Sequence, residues 1–129
     1  MREQMRKVKQ LLHRYQELPE YQGITLNSVN QRGGFKSTPL HIAIYRENPE
    51  EVAMLLRAKA DPNAAGECGE RPLHVAVNCA NGKIVEQLLR AGARCEFKDD
   101  KGMDAWQVAE AVGFRQRLEE IVHRITRNQ

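Results

Sequence analysis

The sequence has little of several features that define common protein classes. None of its apolar runs approaches the length that a helix needs to cross a bilayer, and the charged start, Met1 to Lys7, is not followed by the apolar segment of a secretory signal. The three cysteines, Cys68, Cys79 and Cys95, are odd in number and lack paired spacing, which indicates free thiols in a reducing compartment. We therefore expect a cytoplasmic protein that does not contact a membrane.

Aromatic residues are also scarce, at 5% of the 129 residues, within an apolar fraction of 41%. This composition argues against a bulky core and favours a thin, repeated core of Leu, Ile, Val and Ala. The length suits one domain, because a division in two leaves neither half enough core. The net charge of +3 is unevenly spread: residues 1–36 hold seven Lys or Arg against three acids, whereas residues 37–98 hold eight of each. The basic excess is therefore an N-terminal feature.

What the sequence does contain is a repeat with a period of 33 positions. The segment Thr38–Ala43, TPLHIA, returns as Arg71–Ala76, RPLHVA, and the segment Leu55–Asp61 returns as Leu88–Arg94. One more shift reaches AWQVA at Ala105–Ala109. This period and the Thr-Pro-Leu-His-x-Ala signature are typical of ankyrin repeats. From about residue 30 to residue 122, the chain resembles an ankyrin-repeat protein.

The resemblance implies an all-α fold, an ankyrin-repeat solenoid of helix-turn-helix units with short hairpin-like fingers. We place repeats at residues 33–65, 66–98 and 99–129, and an N-terminal capping helix with a degenerate half-repeat at residues 1–32, all within one structural domain. The capping helix is predicted over residues 3–17, with its apolar stripe on the first repeat and its basic face in solvent. Lys59 stands where the second repeat has Gly92, so a left-handed backbone there would be strained.

Three groups of residues that invite a chemical role are interpreted as structural. His41 and His74 share one repeat position, and the resemblance implies that each is a peg that hydrogen-bonds backbone near the turn. The cysteines fall at three different repeat positions, so stacking does not gather them as zinc ligands. The acidic pairs at 50–51 and 119–120 are interpreted as solvated helix faces, and Trp106 as a core residue. We therefore predict no enzyme activity, no cofactor, no metal and no small-molecule substrate.

The resemblance also implies that the partner is another protein, which lies across the finger tips and the inner helices. The candidate contact residues at those positions are Phe35, Tyr45, Arg46, Glu67, Glu70, Asn78, Asp100, Lys101 and Met103. We expect the aromatic, Met and Arg members to form the centre, because these side chains are over-represented at interface centres. The acidic residues and the lysine are expected to form a polar rim.

The predicted function is non-covalent binding that occupies or inhibits a protein. Small standalone ankyrin proteins of this sort resemble inhibitors, including the immunity proteins with which bacteria neutralise toxins. Two alternatives stay open: an adaptor or scaffold subunit of a larger complex, and nucleic-acid or acidic-surface binding through the basic N-terminal helix. We rank the last one lowest, because a solvated outer face already accounts for the basic residues. A steep loss of affinity with added salt would favour it.

Overall fold

The computed structural model describes residues 2–24, 26 and 28–127, and these contain seven α-helices and no β-strand. Helix α1 (Arg2–Gln16) precedes three helix pairs, α2 (Pro39–Tyr45) with α3 (Pro49–Arg57), α4 (Pro72–Asn78) with α5 (Gly82–Arg90), and α6 (Ala105–Val112) with α7 (Arg115–Arg127). The inner helices α2, α4 and α6 pack on one another in order, and so do the outer helices α3, α5 and α7. The all-α solenoid predicted from the sequence is confirmed.

Polar side chains fix where the helices begin. Thr38 precedes α2 and Asp104 precedes α6, and each accepts a hydrogen bond from a backbone N–H of the first turn. Asn48 and Asn81 cap α3 and α5 in the same way, with oxygen-to-nitrogen distances of 3.1 Å in both cases. Such caps satisfy N–H groups that have no partner inside the helix. The caps of α3 and α5 recur with the period of the sequence.

One apolar core runs through the stack. Leu40 and Leu73 of the inner helices and Leu55 and Leu88 of the outer helices are all buried. Trp106 occupies the equivalent position on α6 and packs against this core, but it is only partly buried. Its assignment to the core therefore holds only in part.

Helix α1 packs against the outer helix α3, as its amphipathic pattern predicts, and begins and ends one residue earlier than expected. The contact buries Leu11, Leu12 and Tyr15. The N-terminal half of the helix is less covered. Met5 belongs to the predicted apolar stripe, yet it is 60% exposed. The apolar stripe of α1 is thus only partly used by the array.

Three five-residue turns, the first, second and third fingers, precede the inner helices. Each finger is closed by a hydrogen bond from its first N–H to its last carbonyl: Gly33 to Ser37 at 2.8 Å, Gly66 to Glu70 at 2.7 Å, and Asp99 to Met103 at 2.9 Å. The second and third fingers are joined directly, because the N–H of Asp100 donates to the carbonyl of Cys68 at 2.9 Å. The second and third finger tips therefore form one continuous edge.

His41 and His74 connect the inner helices to the fingers. In each ring Nδ1 accepts a bond from the backbone N–H of the cap residue, at 3.2 Å and 2.9 Å respectively. Nε2 donates to the carbonyl that ends the next finger, that of Glu70 at 3.1 Å for the first ring and that of Met103 at 2.8 Å for the second. Burial lowers the pKa of His41, which favours the neutral ring that these bonds require. The structural role predicted for both histidines is confirmed.

The corner after α3 has the left-handed backbone expected to be strained, with a φ of 73° at Lys59 against 103° at Gly92 in the next layer. A side chain from the preceding layer holds each corner. Asn30 donates to the carbonyl of Lys59 at 3.3 Å and accepts from the N–H of Asp61 at 2.8 Å. Asn63 bonds the next corner in the same way, with its amide nitrogen 3.1 Å from the Gly92 carbonyl. The segment before the first finger thus already follows the repeat.

Candidate protein-binding surface

Phe35 lies at the tip of the first finger, where its side chain is 69% exposed. Its backbone is left-handed, with a φ of 60°, and Cys68 at the tip of the second finger has a φ of 57°. A bulky L-residue adopts this region at a cost, and such strained residues cluster at functional sites. The finger therefore holds a large apolar side chain in solvent in a conformation that the residue itself does not favour.

Tyr45 ends the inner helix α2 and is 54% exposed. Partial burial is the main cause that raises the pKa of its phenol, and the negative charges of Glu70 and Glu67 raise it further. The carboxylates that exert this effect belong to the second finger, so the end of α2 and that finger share one surface. The second finger thus supplies negative charge that acts on the exposed ring of Tyr45.

The predicted rim residues and Asn78, another candidate contact residue, also lie on the fingers and inner helices. Glu67, Asp100 and Lys101 are exposed on the second and third fingers, and Asn78 is exposed at the end of α4. Glu70 is only partly exposed. We name the surface formed by the three fingers and the C-terminal ends of α2, α4 and α6 the finger face. It holds all nine residues predicted from the sequence except Arg46, which immediately follows α2.

The backbone of Met103 takes part in the hydrogen bonds that hold the third finger. Its side chain is only partly exposed, and its carbonyl accepts the hydrogen bond from His74. Its N–H donates to the side chain of Asp99 at 3.0 Å. Both bonds involve the backbone, and part of the side chain stays accessible.

Arg46 differs more strongly from the prediction. Its Nε lies 3.6 Å from Oε1 of Glu51, and its guanidinium lies over the ring of Tyr15, 5.9 Å from the centroid. Glu51, interpreted from the sequence as solvated, is only 5% exposed and also contacts Arg14 at 3.7 Å. The expectation of a solvated Glu51 is wrong. Arg46 therefore already has an acidic partner inside the chain, although half of its side chain stays exposed.

The charge of the finger face is predominantly acidic. Among the residues that the structure describes, no cationic side chain lies within ion-pair distance of Glu67, Glu70 or Asp100. Lys36 and Lys101 supply exposed positive charge at the tips of the first and third fingers. Val112, which is not among the nine candidate contact residues, is exposed at the end of α6 and adds apolar area.

The recurrence of finger bonds, histidine pegs and corner asparagines at one period identifies the architecture. A sequence model of ankyrin repeats, in three copies, matches residues 2–99. This chain belongs to the ankyrin-repeat family. Ankyrin repeats are generally modules for binding other proteins. Among curated proteins, no sequence matches this one.

Three cysteines lie in the ankyrin array. Cys68 and Cys79 are exposed and Cys95 is partly buried, and all three are free thiols. Burial raises the pKa of Cys95 to about 11, so its thiol stays protonated at neutral pH. In the part of the chain that the structure describes, no group of three His, Cys, Asp or Glu residues is placed to hold a metal ion. No helix in the same part is both long and apolar enough to span a bilayer.

Proposed function

We propose that this ankyrin array binds one protein partner at the finger face and inhibits it by occupancy, without catalysing a reaction. The observation that carries the proposal is Phe35, an aromatic side chain held in solvent by a left-handed finger. Exposed apolar area of this kind is costly in water unless a partner covers it. Tyr45 adds a second exposed ring on the same face.

The proposed contact has a centre and a rim. Phe35, Tyr45 and the accessible part of Met103 form the centre, because interface energy concentrates in a few large side chains. The rim consists of Glu67, Glu70, Asn78, Asp100 and Lys101. Arg46 is assigned a positioning role instead: by holding Glu51 and Tyr15 it fixes the end of α2, which carries Tyr45.

We favour a toxic protein as the partner, which makes the array an immunity protein that acts in the cytoplasm. A binding module without catalytic groups acts on its partner by covering a surface that the partner needs. Neutralisation of a toxin requires no more than that. The adaptor alternative differs in one respect, because it requires a second binding surface.

Photo-crosslinking in the native source tests the proposal. A photoreactive amino acid replaces Phe35 or Tyr45, and a matched variant carries it at Glu119 on the outer helix α7. We expect one protein to be crosslinked from the two finger-face positions and not from position 119, and the purified array to inhibit that protein. Equal capture from all three positions, or capture from position 119 alone, would refute binding at the finger face. Binding without inhibition would refute the inhibitor role and leave the binding site intact.

A further inference from the structure

The outer helix α3 departs from the polar pattern of the other two outer helices, α5 and α7. At the positions of Glu86-Gln87 in α5 and Glu119-Glu120 in α7, one and two periods later, α3 carries Ala53-Met54. Glu86 pairs with Arg90 at 3.0 Å and with Arg124 at 2.9 Å, so the second layer uses this position for ion pairs on the outer surface. The first layer instead places a small and an apolar side chain there.

Helix α1 does not fill the space beside Ala53 and Met54. A groove of about 1000 Å³ lies between α1, α3 and α5. Its apolar lining includes Met5 and Val8 from α1, Ala53 and Met54 from α3, and Val29 from the loop. Met5 at its edge is 60% exposed, so α1 leaves part of its own apolar stripe facing the groove.

The rim of the groove is mainly basic. Lys7, Lys9, Arg57 and Lys83 line it, against Glu3 and Glu50. Lys7 lies 4.0 Å from Glu3, which partly neutralises it. Among the residues that the structure describes, neither Lys9, Arg57 nor Lys83 has a carboxylate within ion-pair distance. Three cations without an ion-pair partner therefore surround an apolar floor, against the single unpaired carboxylate of Glu50.

We propose that this groove is a second protein-binding surface, which receives an acidic amphipathic helix of a partner. The apolar face of that helix covers Met5, Val8 and Met54, and its carboxylates face Lys9, Arg57 and Lys83. Helix-in-groove recognition uses apolar anchors of this kind, and methionines adapt to the shape of what they cover. Because the groove lies on the outer helices, it leaves the finger face free, and the array can hold two proteins at once.

The lining favours a protein helix over nucleic acid. Sequence-tolerant binding of single strands relies on aromatic platforms, and no aromatic residue is among the described residues that line the groove. A duplex would engage the basic rim through its phosphates and leave the apolar floor uncovered. Charge complementarity and the apolar floor are satisfied together only by a segment that carries both properties.

A displayed library of amphipathic helices tests this inference on the full chain. The apolar face of every member is leucine, and the polar face is randomised. Selection on the purified protein is expected to enrich Asp and Glu over Lys and Arg on that face. Absence of enriched helices, or enrichment of basic ones, would overturn the inference.

Two variants locate the binding. Ala53→Glu with Met54→Gln copies the residues of α5 into α3, and Lys9→Glu with Lys83→Glu reverses the rim. Each is expected to weaken the selected acidic helices at least about tenfold, which corresponds to about 1.4 kcal/mol. Phe35→Ala is the matched control and should bind them as the parent protein does. Since the control touches only the finger face, its result keeps this inference separate from the proposed function.

A separate experiment tests whether the groove binds a ligand other than a protein helix. A DNA duplex and vesicles containing phosphatidylserine are offered at the same salt concentration. If either binds and the rim variant abolishes that binding while the selected helices do not compete, the occupant is not a protein helix. Unchanged helix binding by both groove variants would likewise refute the assignment. A thermal melt of each variant shows that a loss of binding is not a loss of fold.

Discussion

The phenol of Tyr15 donates a 2.5 Å hydrogen bond to the carboxylate of Glu51, which joins α1 to α3 across 36 positions of sequence. Arg14 and Arg46 approach the same carboxylate, at 3.7 Å and 3.6 Å. A charge this deeply buried is tolerated only when it is paired and hydrogen-bonded. The N-terminal helix is therefore attached to the array by a polar cluster as well as by its apolar stripe.

Tyr15→Phe tests this attachment, because it removes the hydroxyl and keeps the buried ring. We expect a loss of about 1.5–3 kcal/mol in the free energy of unfolding, the range for hydrogen bonds to charged groups. Urea unfolding monitored by circular dichroism measures it. Tyr45→Phe is the control, since the exposed ring of Tyr45 should tolerate the change with little effect. Equal stability of Tyr15→Phe and the parent protein would show that the arginines alone satisfy Glu51.

The buried ring of His41 predicts a pH dependence of stability. Because burial lowers its pKa in the folded state, the unfolded chain takes up a proton first as the pH falls below about 6.5, the ordinary value for histidine. Stability should therefore decrease as the pH falls from 7 towards 5. In His41→Gln the decrease should be smaller, because the replacement does not titrate. Parallel unfolding curves for both proteins over this pH range would contradict the role assigned to the ring.

Leu88→Ala tests the shared core of the stack. The side chain is fully buried on α5, and we expect its truncation to cost about 2–5 kcal/mol. Each layer of a repeat protein contacts only its neighbours, so the loss of a central layer should unfold a short array as a unit. Chemical denaturation followed at several probes measures both effects. Lys83→Ala, an exposed change on the same helix, should cost little, and a loss below about 1 kcal/mol for Leu88→Ala would mean that the layer is loosely packed.

The repeat explains which parts of this structure were predictable. His41 and His74 have partners set by the period, so a sequence with that period already indicates their role. Glu51 does not, because Tyr15, its hydrogen-bond donor, lies in the N-terminal segment where the signature is weak. The same limit applies to Arg46, because its side chain belongs to the polar cluster of Tyr15 and Glu51 at α1 and not to the finger face.

The structural consequences of departures from the repeat were harder to predict from the sequence than the repeat itself. A comparison of Ala53-Met54 with Glu86-Gln87 was possible from the sequence, but the groove also depends on how far α1 covers α3. The left-handed backbone of Phe35 and Cys68 could not be foreseen either, since neither residue favours it. The coverage of α3 by α1 decides the first outcome, whereas the left-handed backbone recurs one period apart and belongs to the closed finger itself.

The final prediction concerns the centre of the finger face. Phe35→Ala and Tyr45→Ala should each weaken binding of the crosslinked partner by about 2 kcal/mol or more, roughly a thirtyfold rise in Kd. Truncation removes the two rings that the partner would desolvate, and both are exposed in the free protein, so thermal stability should change little. Calorimetric titration measures the affinities, and a melt of each variant checks the fold.

The matched control is Arg2→Glu with Arg6→Glu, which reverses two exposed charges on α1 outside the groove and leaves the fingers untouched. Binding at the finger face predicts nearly unchanged affinity for this variant, because neither residue lies on the fingers or the inner helices. If this variant loses the partner while both alanine variants retain it, the basic helix α1 is the site. Protein binding through exposed rings should also depend only weakly on salt, whereas a contact made by α1 with an acidic surface should weaken steeply as salt is added.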